Sequence, residues 1–107
     1  MARQQPESRL VNKIKLRLET NFPGSFWIKI HGGSYQQAGI PDLIGCVEGV
    51  FFGLEVKLPD KLDTLTGLQQ YTLDLITKAE GVAVVVTDPK EAEAIVRKAM
   101  GYEEASN

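Results

Sequence analysis

Histidine and cysteine each occur once in the 107 residues, as His31 and Cys46. A lone thiol cannot close an internal disulfide, which fits a reducing compartment such as the cytoplasm. Two such residues also cannot build a Cys/His zinc site. No apolar run approaches the roughly 18 residues of a membrane span, and MARQQPESR at the start has no apolar signal-peptide core, so no membrane association is expected. The chain lacks a basic excess as well: 12 Lys and Arg stand against 14 Asp and Glu, for a net charge of −2. That sets aside a strongly basic nucleic-acid binder but leaves room for a local basic patch. What is present is ordinary for a globular chain, 43% hydrophobic and 24% charged. The length suits one domain around one core over residues 1–107, with 102–107 as a frayed tail.

Hydrophobic periodicity predicts the element order α-β-β-β-α-β-α. Leu10, Val11, Ile14 and Leu18 recur at helical spacing, giving a helix over 7–19 that Pro6 opens and Phe22-Pro23-Gly24 ends. Strands follow at 25–30, 42–47 and 50–57, the last two joined by Glu48-Gly49. A polar loop over 31–38 precedes the second strand, and a charged loop over 58–65 follows the third. A helix over 66–80 leads to the apolar strand 82–87, expected to be covered on both faces, and Asp88 caps a last helix reaching about residue 100. The hairpin makes its two strands antiparallel, and the helix after it allows a crossover to a parallel strand. The expected fold is α/β, a mixed four-stranded sheet with helices on both faces.

The stretch VFFGLEVK places its charges unusually. Alternation puts Phe52, Leu54 and Val56 on the core face and Phe51, Gly53, Glu55 and Lys57 on the other. Gly53, without a side chain, is expected to leave open space beside Glu55. If Glu48-Gly49 is a two-residue turn, counting outward from Val47 opposite Val50 brings Asp42 opposite Glu55. Directly opposed side chains lie about 4.5–5.5 Å apart at Cβ, and two carboxylates there repel. A shared proton, Lys57, or a divalent cation between them could compensate. The cation best explains an Asp, a Glu and a Lys gathered at one hairpin end. Glu7 extends the apolar stripe of the first helix, and Gln69 aligns with Leu73 and Ile76, so both polar groups point toward the same region. Each residue also has a plainer use. Glu7 suits a helix N-terminus, Gln69 a helix surface and Glu55–Lys57 a solvated strand end; Cys46 is most simply a small core residue.

Gly39-Ile40-Pro41-Asp42 followed by Glu55-Val56-Lys57 resembles the PD-(D/E)xK nuclease superfamily. With the leading Glu7, the phrase GIPDLIG and the trailing LTGLQ, the chain resembles its VRR-NUC family, particularly small stand-alone phage and bacterial members. Gly67 stands where many relatives have proline. The resemblance implies an αβββαβ core with an extra C-terminal helix and a Mg2+- or Mn2+-dependent, structure-selective DNA endonuclease. Some relatives act as homodimers on branched DNA, like Holliday junction resolvases. It implies Asp42, Glu55 and the Val56 carbonyl as metal ligands, Lys57 at the attacking water, Glu7 at a second metal or its waters, and Gln69 positioning Lys57 or the water. Arg9, Lys13 and Arg17 form one stripe of the first helix, which with Lys29, His31, Gly32 and Gly33 is the expected DNA track; a solvated helix face reads equally well. The alternatives are a nuclease for flaps, nicks or duplex ends, a catalytically silent nucleic-acid-binding or assembly module on the same fold, and an acid-dyad hydrolase without metal.

Overall fold

The computed structural model describes residues 5–31 and 38–103. Helix α1 (Pro6–Asn21) starts with proline in its first turn and buries Val11, Ile14 and Leu18 along one stripe. The Phe22 N–H donates to the Leu18 carbonyl as the helix ends. Strands β1 (Phe26–Lys29), β2 (Leu43–Val47) and β3 (Val50–Val56) come next. The segment expected as a charged loop contains a 3-10 helix, Pro59–Thr64. Helix α2 (Gly67–Lys78), strand β4 (Val82–Val86) and helix α3 (Pro89–Met100) complete the order. Asp88 caps α3 by accepting from the Glu91 N–H, and left-handed Gly101 closes it.

The sheet runs β1-β2-β3-β4, antiparallel except for the parallel β3–β4 pair that α2 connects. Glu48 (φ 47°) and Gly49 (φ 86°) both have positive φ, the two-residue turn that matches strand twist. It fixes the register from Val47↔Val50 to Leu43↔Leu54. The paired register ends there, and Asp42, in the bend just before β2, lies beside Glu55.

Helices α1 and α3 cover one face of the sheet, where Phe52, Leu54, Val56, Leu43 and Trp27 meet Val11, Ile14, Leu18 and Val96. Trp27 lies so close over β2 that a Cβ on Gly45 would stand 2.1 Å from its ring. Helix α2 covers the other face over β3 and β4. There is no open space at Gly53: a Cβ there would come within 2.9 Å of Ile76 Cδ1 and 3.2 Å of Pro41 Cγ. The missing side chain lets α2 and the start of β2 close over the sheet beside Glu55. Strand β4 also differs from expectation. Val82 to Val85 are only half buried, because β4 is an edge strand, and Val86 alone is buried.

The α1–α3 seam carries a buried ion pair that the apolar pattern did not announce. Glu93 accepts from Arg17 Nε at 2.7 Å and from Arg97 Nε at 2.8 Å. Arg97 also lies over the Phe22 ring. Tyr102, expected to open the frayed tail, is anchored: its N–H donates to the Arg97 carbonyl and its hydroxyl to Glu48 Oε1. Residues 104–107 lie outside the described residues.

Candidate active site

The candidate site lies at the end of the sheet where β2 begins and β3 stops. Asp42 sits in the bend before β2, and its carbonyl accepts from the Ile30 N–H at 2.8 Å, extending the β1–β2 pairing by one place. Its carboxylate turns to β3, where Oδ2 accepts from the Val56 N–H at 2.9 Å.

Glu55 is 2% exposed. Its Oε1 accepts from Gln69 Nε2 at 3.2 Å, while its buried Oε2 has no hydrogen-bond partner. Gln69 is itself locked. Its Oε1 accepts from the Thr66 N–H at 2.9 Å and its own N–H donates to Thr66 Oγ1 at 3.1 Å, a capping box that starts α2. With its amide oxygen held by the cap, its amide nitrogen is aimed at Glu55. Gln69 therefore donates to Glu55. The Thr66-x-x-Gln69 spacing was the signal for this arrangement.

Burial, above all, pushes the Glu55 carboxyl up to about 8; the neighbouring Asp42 carboxylate adds to the rise, Lys57 opposes it, and Glu7 contributes a little more. Glu7, half buried in the first turn of α1, is raised by burial first and then by Asp42, again opposed by Lys57. Lys57 is 6% exposed and lies within electrostatic reach of both glutamates without closing an ion pair with either among the described residues. Asp42, Glu55, Lys57, Gln69 and Glu7 thus converge.

Among the described residues no group of three or more His, Cys, Asp or Glu stands close enough to hold an ion, so Glu7 does not join Asp42 and Glu55 in one ligand set. Two facing carboxylates, one with a buried oxygen lacking any donor, nevertheless fit a hard cation. Magnesium commonly takes one or two carboxylates and completes its shell with waters and phosphate oxygens. Val56 could add its carbonyl, and Glu7 could act through a water.

The expected DNA track is less uniform. Arg9 and Lys13 are exposed on α1. Arg17 is engaged by Glu93 in the α1–α3 seam, a packing role that its place in the basic stripe concealed. Lys29 is also engaged, donating to the Ser8 carbonyl, to Ser8 Oγ and to Asn12 Oδ1, so it ties β1 to the helix turn beside Glu7. His31 is exposed at the edge of the described chain, and Gly32 and Gly33 lie outside the described residues. A surface cleft of roughly 360 Å³ opens at the far end of the sheet, near Phe22, Val47 and Arg97, and includes none of these groups.

No protein-family model and no curated protein matches the chain. A solved structure described as a VRR_NUC domain does: 22% of residues are identical, 88% of this chain and 97% of that chain are covered, and the TM-score is 0.67. The chain therefore has the fold of a VRR_NUC domain, a mixed α/β sheet with helices on both faces, consistent with the PD-(D/E)xK core. No helix among the described residues is long and apolar enough to cross a membrane.

Proposed function

We propose that the protein is a divalent-metal-dependent endonuclease that hydrolyses phosphodiester bonds in DNA, with branched DNA such as the Holliday junction as its substrate. The observation that carries this reading is the pair Asp42–Glu55, in which a half-buried aspartate adds its charge to the burial of the glutamate and one glutamate oxygen is left without a hydrogen-bond partner. Asp42, Glu55 and the Val56 carbonyl would hold Mg2+ or Mn2+. Such an ion, when bound, supplies positive charge for the phosphate oxygens and acidifies a coordinated water.

The chain's own groups do the rest. Gln69 fixes the orientation of the Glu55 carboxylate, with its amide already committed to the helix cap. Lys57, on the Glu55 face of β3, would hold the attacking water or offset charge on the scissile phosphate. Glu7 faces the same space from α1 and would orient a metal-bound water or a second ion. Arg9 and Lys13 would track the phosphate backbone beside it. Cutting two strands of a junction symmetrically takes two such sites, which a twofold homodimer provides.

The test is a four-way junction incubated with the purified chain and Mg2+, alongside flap, nicked and linear duplexes. We expect cleavage that a chelator stops and that Lys57→Ala loses. Cleavage that survives the chelator would favour an acid dyad without metal. Binding without cleavage under every metal tried would leave a silent binding module.

A further inference from the structure

The three α-helices all begin at the end of the sheet that carries the candidate site, but they are fastened there in different ways. Helix α2 is held by the Thr66–Gln69 capping box and α3 by Asp88. Helix α1 has no such device: Gln5 stands at its N-cap and makes no side-chain bond to the first turn. An uncapped first turn frays readily. This turn carries Glu7. The bonds that fasten it come from Lys29. That residue ends β1 opposite Leu43, next to Ile30, whose N–H meets the Asp42 carbonyl. The half-buried Lys29 ammonium donates to Ser8 Oγ, to the Ser8 carbonyl at 3.4 Å and to Asn12 Oδ1 at 3.2 Å. An ammonium has three N–H bonds, and here each has an acceptor in the first two turns of α1.

We propose that Lys29 is a positioning residue of the candidate site, one that sets where the Glu7 carboxylate stands by pinning the first turn of α1 to the end of β1. The inference rests on the nuclease reading. Helix stability alone does not account for the arrangement. A cation beside a helix start opposes the helix dipole, and a surface lysine ordinarily keeps its head in water. A phosphate contact does not account for it either, since its three donors are taken up by α1. The charges that act on Glu7 belong to Asp42 and Lys57. Lys29 reaches Glu7 through Ser8, the next residue in the chain. Two successive residues of β1 thus serve two parts of one site. Ile30 holds the backbone of Asp42, and Lys29 holds the turn of Glu7. The end of β1 thereby fixes the spacing between a candidate metal ligand and the carboxylate that would order its waters.

Lys29→Met keeps the aliphatic stem and drops the donors. Ser8→Ala is the milder change, removing an acceptor and leaving the lysine charge in place. Titration calorimetry without DNA should show Mn2+ binding weakened severalfold by either, approaching the about tenfold expected of Glu7→Gln. Lys29→Arg, which still donates, should recover most of the affinity. Combined with Glu7→Gln, neither Lys29→Met nor Ser8→Ala should weaken binding further, because no carboxylate is left to position. In chelator, Lys29→Met should bind a four-way junction with an unchanged salt slope. Mn2+ binding indifferent to both Lys29→Met and Ser8→Ala would overturn the inference. So would a loss undiminished in the Glu7→Gln background, which marks a general structural role, or a flatter salt slope, which marks a phosphate contact. Each of these leaves the nuclease reading standing. An unaltered chain that takes up no Mn2+ and cuts no DNA would remove that reading and this inference with it.

Discussion

Glu55 and Glu93 are almost equally buried, 2% and 3% exposed, yet their surroundings are opposite. Glu93 meets two arginines that saturate both its oxygens and hold its carboxyl below the usual carboxylate range, Arg17 contributing first and Arg97 next. Glu55 meets another carboxylate and a neutral amide, keeps one oxygen without a donor, and is pushed up to about 8, chiefly by burial. Burial of a charge is thus no sign of function by itself. A buried carboxylate that its own fold satisfies is holding two helices together; one that its fold leaves in deficit is a candidate for a positive partner.

Exchanging each glutamate for its amide gives the largest contrast. Glu55→Gln should lower the cleavage rate by about 10²–10³-fold or more, the scale seen when one preorganised electrostatic group is lost. Its melting temperature should stay level or rise, because repulsion with Asp42 disappears. Glu93→Gln should do the reverse, leaving the rate per folded molecule unchanged. Two arginines without a counter-charge should cost about 1–3 kcal/mol, moderated by the partial exposure of Arg17 and Arg97. Thermal melts and single-turnover rates on both variants would test this. A stability loss at Glu55 as large as at Glu93 would erase the distinction.

The pH dependence should separate the same two groups with opposite signs. Glu55 binds its proton more tightly folded than unfolded, so its contribution to stability is complete below its ordinary value of 4.5 and is lost as pH rises toward about 8. Glu93 binds its proton less tightly folded, so its contribution is present above the ordinary value and is lost as pH falls through the lowered one. Without metal, the melting temperature should therefore fall by several degrees from pH 5 to pH 9, and Glu55→Gln should flatten that limb. Saturating Mg2+ should flatten it too, since the ion competes with the proton and binds more tightly as pH rises. Glu93→Gln should leave this limb intact and flatten the acid one.

The candidate catalytic pair was far more legible in the sequence than the structural one. Asp42 and Glu55 could be placed near each other because a strand has period two and Glu48-Gly49 forms a two-residue turn, which keeps that count. Glu93 and Arg17 are 76 residues apart, on helices whose contact depends on how α1 and α3 both settle on the sheet, and no local period relates them. Arg17 was accordingly read as one of three basic residues on a stripe. Gly53 was misread for a related reason. Alternation gives the face a residue occupies, but not that Ile76 and Pro41 would press against it from α2 and the start of β2. The buried strand expected at β4 failed similarly, since apolar composition does not say whether a strand ends at the edge of its sheet.

The smallest expected effect concerns the partners rather than the glutamates. Each carboxylate is oriented by a helix side chain, Glu93 by Arg97 of its own helix and Glu55 by Gln69 of α2. Arg97 supplies charge and position together, whereas neutral Gln69 supplies position alone, and its amide oxygen is already bound to the Thr66 N–H. Gln69→Glu keeps that capping bond, because a carboxylate oxygen can accept from Thr66 as the amide oxygen does. It cannot donate to Glu55, and it brings a further negative charge. Helix α2 should thus remain capped and the melting temperature change little, while Mn2+ affinity and cleavage shift by about tenfold, at the lower end of what outer partners of metal ligands are worth. Gln69→Ala should lose the cap as well, adding about 0.5–1 kcal/mol of destabilisation. If the two variants lowered stability alike and left Mn2+ titrations unmoved, Gln69 would be a helix cap and nothing more, and Glu55 would be held by burial alone.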